Sequence, residues 1–383
     1  MRPILAILSD SVRQLRAKRL FWFVLAISLL IVLAYGSIGF DENGPTILYG
    51  WKHIDQPLLA KGSVFSRVFM EGIFSAIIVN VWLAWGAIIL ALVSTAGILP
   101  DFLAEGSIDL VLSKPISRVK MFLTKYAGSL AFVFIQVLIF CAGVYLVLGW
   151  RVGEWRFKVF LAVPLIVLQF SYLYCIMALL NVWTKSTLAS LLITIIVWMG
   201  IFGLATSNGV LQLARINFET AVEVFQQRVD KHEEGIASQS GEDQLAVERA
   251  EGQLEDMKER VEKAQGTLGK IRPFTGASYW LAALLPKSSE TVGLLQRELE
   301  ADSGLSFADI MQGNFGDKNG SGRGGRDARG FGFIRDREVE RLTQQRMIEY
   351  AESESGFYII GSSLAFELVI LGLTLFIFVR QDY

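Results

Sequence analysis

One acidic residue lies deep inside an apolar stretch of this 383-residue chain. Glu367 is the only formally charged residue well within any of the long apolar runs. A carboxyl group is costly to place in lipid, so its side chain should face another helix or a wet cavity, near Asn80, Gln136 or Gln169. Two roles are open for Glu367: part of a substrate or proton path, or a hydrogen-bonding anchor between helices. We favour the anchor.

The remaining sequence carries no residue pattern typical of an enzyme. It has no His-Glu-x-x-His zinc motif, no Gly-x-Ser-x-Gly nucleophile turn, and no glycine-rich loop ending in Gly-Lys-Ser/Thr. Cys141 and Cys175 both lie in apolar runs and are predicted to be small buried hydrophobic residues rather than a metal or redox pair. We therefore expect a non-enzymatic chain that binds no cofactor and no metal of its own.

A second segment combines charge, a turn and an amphipathic pattern between two apolar runs. Its distinctive positions are Glu105, Gly106, Asp109, Leu110, Ser113, Lys114, Pro115 and Arg118. The order of these residues predicts a short amphipathic helix and then a basic turn into the next helix. The proline ring cannot continue a helix, so the chain must turn there.

This segment resembles the ABC-2 type permeases, the membrane subunits of type-2 ABC exporters. The likeness covers about Leu99–Leu130 and also includes Leu112, Ser117, Lys125 and Gly128. The resemblance implies a homodimer or a paired permease that associates with a separate ABC ATPase subunit, which would bind the ATP. It also implies that the loop Glu105–Arg118 is the coupling helix that docks on that ATPase.

The expected function is therefore a permease subunit that exports a substrate, energised by a separate nucleotide-binding subunit. An alternative is a non-transporting membrane scaffold or sensor whose external coiled coil binds an envelope partner. Copurification of an ATPase that carries a nucleotide-binding loop would distinguish the two.

Six apolar windows are long enough to cross a bilayer, which takes about 20 residues of helix. They are Leu20–Gly39, Ile73–Leu99, Tyr126–Trp150, Val159–Leu180, Leu188–Thr206 and Tyr358–Val379. In lipid the backbone must satisfy its own hydrogen bonds, so runs of this length predict helices. The predicted fold is thus an all-α membrane protein with six transmembrane helices and a large insert between the fifth and sixth.

The distribution of lysine and arginine predicts the orientation. The short flanks on one side of these windows hold eleven basic residues and those on the other side hold six. Both termini are therefore expected to be cytoplasmic, in the cytoplasmic (inner) membrane of a bacterium. The predicted regions are an interfacial helix at 1–19, spans one to five at 20–206 with the coupling loop at 100–125, the extracytoplasmic insert at 207–356, and the last span and tail at 357–383. Residues 1–19 are equally compatible with a plain extension of the first span.

The insert is polar and acidic, with 26 acidic and 19 basic residues. Apolar positions at alternating spacings of three and four predict an antiparallel coiled-coil hairpin over 217–270. The glycine-rich stretch 314–333 predicts a flexible loop. Because the net charge of the chain is −1, we expect no nucleic-acid partner.

Overall fold

The computed structural model describes residues 19–54, 61, 63–103, 117–151, 153, 155–238, 244–300, 334 and 336–380. Of these described residues 89% are helical, which confirms the predicted helical class. The predicted interfacial helix at 1–19, apart from Arg19, and the glycine-rich loop at 314–333 lie outside the described residues.

Eleven α-helices make up most of the described chain. In order they are α1 (Arg19–Gly36), α2 (Val64–Ile73), α3 (Ile88–Thr95), α4 (Ile98–Leu103), α5 (Arg118–Arg151), α6 (Ala162–Thr184), α7 (Thr187–Ser238), α8 (Gln244–Leu284), α9 (Ser288–Glu300), α10 (Arg337–Ser353) and α11 (Gly356–Arg380). A π-helical segment, Phe74–Ala87, joins α2 to α3.

Within the described ranges, five helical stretches are long and apolar enough to cross a membrane. They are Ile77–Asp101, Arg118–Arg151, Phe157–Thr184, Thr187–Ile236 and Gly356–Arg380. Each overlaps one of the windows predicted from the sequence, because a charge-free run of about 20 residues identifies such a helix without tertiary information. The first predicted window forms the shorter apolar helix Phe21–Gly36.

The chain divides into two compact units. The first, here called the span unit, comprises Met1–Met199, Pro286–Gly322 and Ile360–Tyr383. The second, here called the helical unit, comprises Gly200–Leu285 and Arg323–Ile359. Helices α7 and α11 contribute residues to both.

Helix α6 is the centre of the span unit. Its membrane-length stretch is 67% buried within the protein, against 22% for the stretch formed by α11. Phe170, Leu173 and Met177 are fully buried on it, and α5, α9 and the π-helical segment all pack against it. A helix that is apolar on every side is suited to such a position, surrounded by other helices instead of by solvent or lipid.

One end of α6 is held by a buried amide. Asn181 is 0% exposed. Its Nδ2 donates to the Ala96 carbonyl at 3.3 Å, and its Oδ1 accepts from the Ser190 hydroxyl of α7. Lys185 then turns the chain between α6 and α7 in the left-handed conformation, with φ of 51°. Asn181 therefore joins the end of α6 both to the turn between α3 and α4 and to the start of α7.

A small antiparallel sheet follows α1 in the span unit. Its strands are β1 (Gly39–Asp41), β2 (Gly44–Ile47) and β3 (Lys52–His53), with Gly39 opposite Thr46. Arg151, the last residue of α5, donates from Nη2 to the Thr46 hydroxyl at 3.2 Å. A Cβ atom on Gly39 would lie 2.3 Å from that guanidinium group, so a side chain there would displace Arg151.

Three helices share the core of the helical unit. Its buried members are Ala221, Val224, Phe225, Val229, Val261 and Val339. Four come from α7, one from α8 and one from α10. The predicted apolar stripes of α7 and α8 thus contribute to this core, and α10 adds a third helix that the sequence did not predict there.

A network of charges fixes the start of α10 on α7. Arg228 donates from Nη1 and Nη2 to the two carboxylate oxygens of Asp336, at 2.8 and 2.9 Å, and also to Glu338 at 2.9 Å. The Asp336 side chain in turn accepts from the backbone N–H groups of Glu338 and Val339 and so caps the helix. The Arg228 hydrogen bonds hold the pKa of the Asp336 carboxyl below its ordinary value.

Candidate functional site

Glu367 of α11 binds two hydroxyl groups from two other helices. Glu367 is only 7% exposed. Oε1 accepts from the Tyr126 hydroxyl of α5 at 2.8 Å, and Oε2 accepts from the Ser171 hydroxyl of α6 at 2.9 Å. The carboxyl group therefore ties α5, α6 and α11 together within their membrane-length stretches.

Both hydroxyl groups have a second acceptor within reach. The Tyr126 hydroxyl lies 3.1 Å from the Ser171 carbonyl, and the Ser171 hydroxyl lies 2.8 Å from the Leu168 carbonyl. Because each hydroxyl has one proton, it can donate to only one acceptor at a time. The hydroxyl protons can therefore turn between Glu367 and the backbone carbonyls without displacement of heavy atoms.

The walls of this site are aromatic. The ring of Tyr174 lies 5.2 Å from that of Tyr126 and 5.2 Å from that of Phe170, and its hydroxyl accepts from Ser129 at 2.8 Å. All four of these side chains are buried. In such a weakly polar environment a carboxyl group relies on the few donors that reach it.

The start of α9 contacts α11 one helical turn before Glu367. The Lys287 backbone N–H donates to the Ser363 hydroxyl at 2.9 Å, and both residues are buried. Tyr172 of α6 is fully buried, and its hydroxyl has no hydrogen-bond partner among the described residues. The polar site thus continues from Glu367 towards the start of α9.

The hydrogen-bond partners of Glu367 differ from the amides proposed from the sequence. Gln169 donates to the Ala84 carbonyl at 3.2 Å, Gln136 lines a small separate cavity, and Asn80 is exposed. The predicted partners were all amides, whereas the observed partners of Glu367 are hydroxyl groups. Tyrosine and serine are frequent in apolar helices, so their presence alone gives no signal that they bind a carboxyl group.

Of the coupling-loop positions, the structure describes only Arg118. It is the first residue of α5 and is partly exposed, and the preceding Ser117 hydroxyl accepts from the Lys120 backbone N–H at 3.4 Å. The other predicted positions, Glu105, Gly106, Asp109, Leu110, Ser113, Lys114 and Pro115, lie outside the described residues.

Comparison of the chain with protein-family models, with curated proteins and with solved structures gives no match. Within the described part of the chain, no three His, Cys, Asp or Glu side chains come together as a metal ion would require. Cys141 and Cys175 are both buried and form no disulfide, as their apolar surroundings predict. Glu367 and the hydroxyls around it are therefore the candidate site that the described helices offer.

Proposed function

We propose that this chain is the permease subunit of an ATP-driven ABC transporter of the ABC-2 type. It binds no nucleotide itself and exports a substrate with energy from a separate ATPase subunit. The observation that carries the proposal is the location of the motif Glu105–Arg118. It lies between Ile77–Asp101 and Arg118–Arg151, two helices long enough to cross a membrane. A loop that docks on an ATPase needs such a position, because both of its ends must lead directly into spans.

The proposed topology has six spans, with Phe21–Gly36 forming most of the first. Both termini face the cytoplasm of a bacterium, and the insert, with its coiled-coil hairpin over 217–270, faces outward. The support is the excess of basic residues in the flanks assigned to the cytoplasm. As in the family that the loop resembles, two permease chains would pair in the membrane.

Helix α5 connects the proposed docking loop to the Glu367 site. Arg118 begins the helix, and Tyr126 follows eight residues later, about 12 Å along the axis. Since Tyr126 and Ser171 both bind Glu367, a displacement of the start of α5 would carry α6 and α11 with it. Glu367 would then be the anchor that lets three spans respond together to closure of the ATPase.

The test is copurification of the tagged full chain from its native membrane, followed by identification of any ATPase bound to it. We expect an ATPase with a nucleotide-binding loop, and we expect Glu105→Ala and Arg118→Ala to abolish its recovery. Arg260→Ala is the matched control, because that arginine is 61% exposed on α8. The proposal would be contradicted if no ATPase copurified, or if the loop variants recovered as much ATPase as the wild type. Either result would favour the scaffold or sensor.

A further inference from the structure

The helical unit contains a pocket with two arginines and three aromatic rings. Its volume is about 390 Å³, within the range of pockets that hold small molecules. It is lined by Gln212 and Arg215 of α7, by Arg272, Thr275, Gly276, Tyr279 and Trp280 of α8, and by Tyr350 of α10. The polar lining is thus rich in hydrogen-bond donors.

The two guanidinium groups favour an anion. Arg272 is exposed and forms no ion pair with any carboxylate of the described chain. Arg215 pairs with Glu219 on its own helix at 2.8 Å, and both side chains are partly exposed, at 40% and 38%. An ion pair within one turn of a helix is weak where water reaches it, so an incoming phosphate could displace Glu219 from Arg215. Arginine binds phosphate through two parallel N–H donors, which suits this pair of side chains.

An exposed apolar face extends from the pocket along the end of α8. Phe274, Trp280, Leu281 and Leu284 are 66%, 71%, 54% and 74% exposed. Their spacing places them on one side of the helix, and Tyr279, whose ring lies 5.9 Å from that of Trp280, lines the pocket beside them. Tryptophan and tyrosine with neighbouring apolar residues are typical of the membrane–water boundary.

The lining residues of α7 and α10 lie close to predicted spans along the chain. Gln212 follows the end of the fifth predicted window, Thr206, by six residues, or about 9 Å of helix, and Tyr350 precedes Gly356 by the same number. The Ser278 hydroxyl donates to Asn208 at 3.0 Å, which holds the end of α8 against α7 just beyond that window. In the proposed topology, this is the depth of the lipid headgroups.

We propose that this pocket binds the phosphate of an anionic phospholipid in the outer leaflet, with Arg215 and Arg272 on the phosphate and the acyl chains along the face formed by Phe274, Leu281 and Leu284. The location at the membrane surface rests on the proposed function and its topology. The phosphate chemistry rests on the pocket itself.

The experiment uses the full chain purified in detergent, with native mass spectrometry to count bound lipids. Phosphatidylglycerol should bind at least about tenfold more tightly than phosphatidylcholine. Arg215→Gln with Arg272→Gln should lower that affinity by about tenfold or more, because the variant loses charge-assisted hydrogen bonds to the phosphate. Arg260→Gln, on the same helix and outside the pocket, should change nothing. Inorganic phosphate at the lipid concentration should not compete.

Equal binding of the two lipids, or full affinity in the double variant, would overturn the lipid site. Displacement of phosphatidylglycerol by inorganic phosphate alone would also overturn it, because the source would then be free phosphate. If the double variant fails to fold, phosphatidylglycerol with brominated chains gives a second readout: it should quench more tryptophan fluorescence in the wild type than in Trp280→Phe, and equal quenching counts against the site. No ATPase is present in these assays, so their failure leaves the copurification result intact, and the reverse also holds.

Discussion

At the scale of single residues, the hydrogen bonds of Glu367 are unequal for the two sides. The Tyr126 and Ser171 hydroxyls have other acceptors within reach, whereas the Glu367 carboxyl group has only these two donors in the described structure. If Glu367 is replaced by leucine, Tyr126 and Ser171 can each still donate to a backbone carbonyl within 3.1 Å. If both hydroxyls are removed, however, the buried carboxyl group loses both donors that the structure shows. The asymmetry gives a direct test of the anchor.

We expect Tyr126→Phe with Ser171→Ala to lower the stability of the full chain by about 2–4 kcal/mol, because a buried carboxyl group without hydrogen-bond donors is costly. Adding Glu367→Leu to that double variant should restore much of the loss. Thermal unfolding in detergent, followed by circular dichroism, measures both steps. If Glu367→Leu alone leaves stability unchanged but stops transport, the carboxyl group belongs to a substrate or proton path instead.

Asp336 makes the folding stability of the chain depend on pH. Its folded pKa is lowered by Arg228, so its contribution is fully present above the unfolded value of about 3.9 and is lost as the pH falls through the folded value. Asp336→Asn keeps an oxygen for the helix cap but removes the charge. We expect the variant to be about 1 kcal/mol less stable than the wild type at pH 7, with the difference vanishing well below pH 4. An equal difference at both pH values in thermal unfolding would contradict this.

The sequence was sufficient to single out Glu367 but not its partners. A lone acidic residue in a charge-free run is conspicuous, since its cost in lipid requires an explanation. Which helices face it depends on how α5, α6 and α11 pack, and apolar runs of nearly uniform composition do not encode a preferred face.

At the scale of elements, Asn181 is the clearest connection between helices outside the Glu367 site. Asn181→Ala should lower stability by about 2 kcal/mol, because it leaves the Ala96 carbonyl and the Ser190 hydroxyl without this partner. Asn80→Ala is the matched control, since Asn80 is exposed. Equal thermal stability of the two variants would show that the buried amide does not hold the helices.

Helices were predicted more reliably than short or weakly apolar elements. Strands β1 to β3 contain only two to four residues each, too few for an alternating pattern to appear. Helix α10 is mostly polar and adds only Val339 and the partly buried Leu342 to the core. Two apolar positions are too few to predict that this helix joins the core. The charge network of Arg228 joins residues more than 100 positions apart, and local sequence patterns do not predict such contacts.

At the scale of the whole molecule, the orientation in the membrane can be tested with cysteine labelling. Both native cysteines are buried, so the wild type should stay unlabelled by a membrane-impermeant maleimide. In intact cells, Lys258→Cys should be labelled, because the insert faces outward. Lys120→Cys should require permeabilised cells, because it lies beside the docking loop. Both positions are exposed in the structure, and labelling of both from the same side would refute the proposed topology.

The arrangement of Glu367 also has an evolutionary consequence. A relative that loses the carboxyl group can keep Tyr126 and Ser171, because their hydroxyls retain backbone acceptors. A relative that loses both hydroxyls while it keeps the acid would carry an unsatisfied carboxyl group. Substitutions should therefore accumulate in a fixed order among descendants of one ancestor, with the acid replaced before its donors.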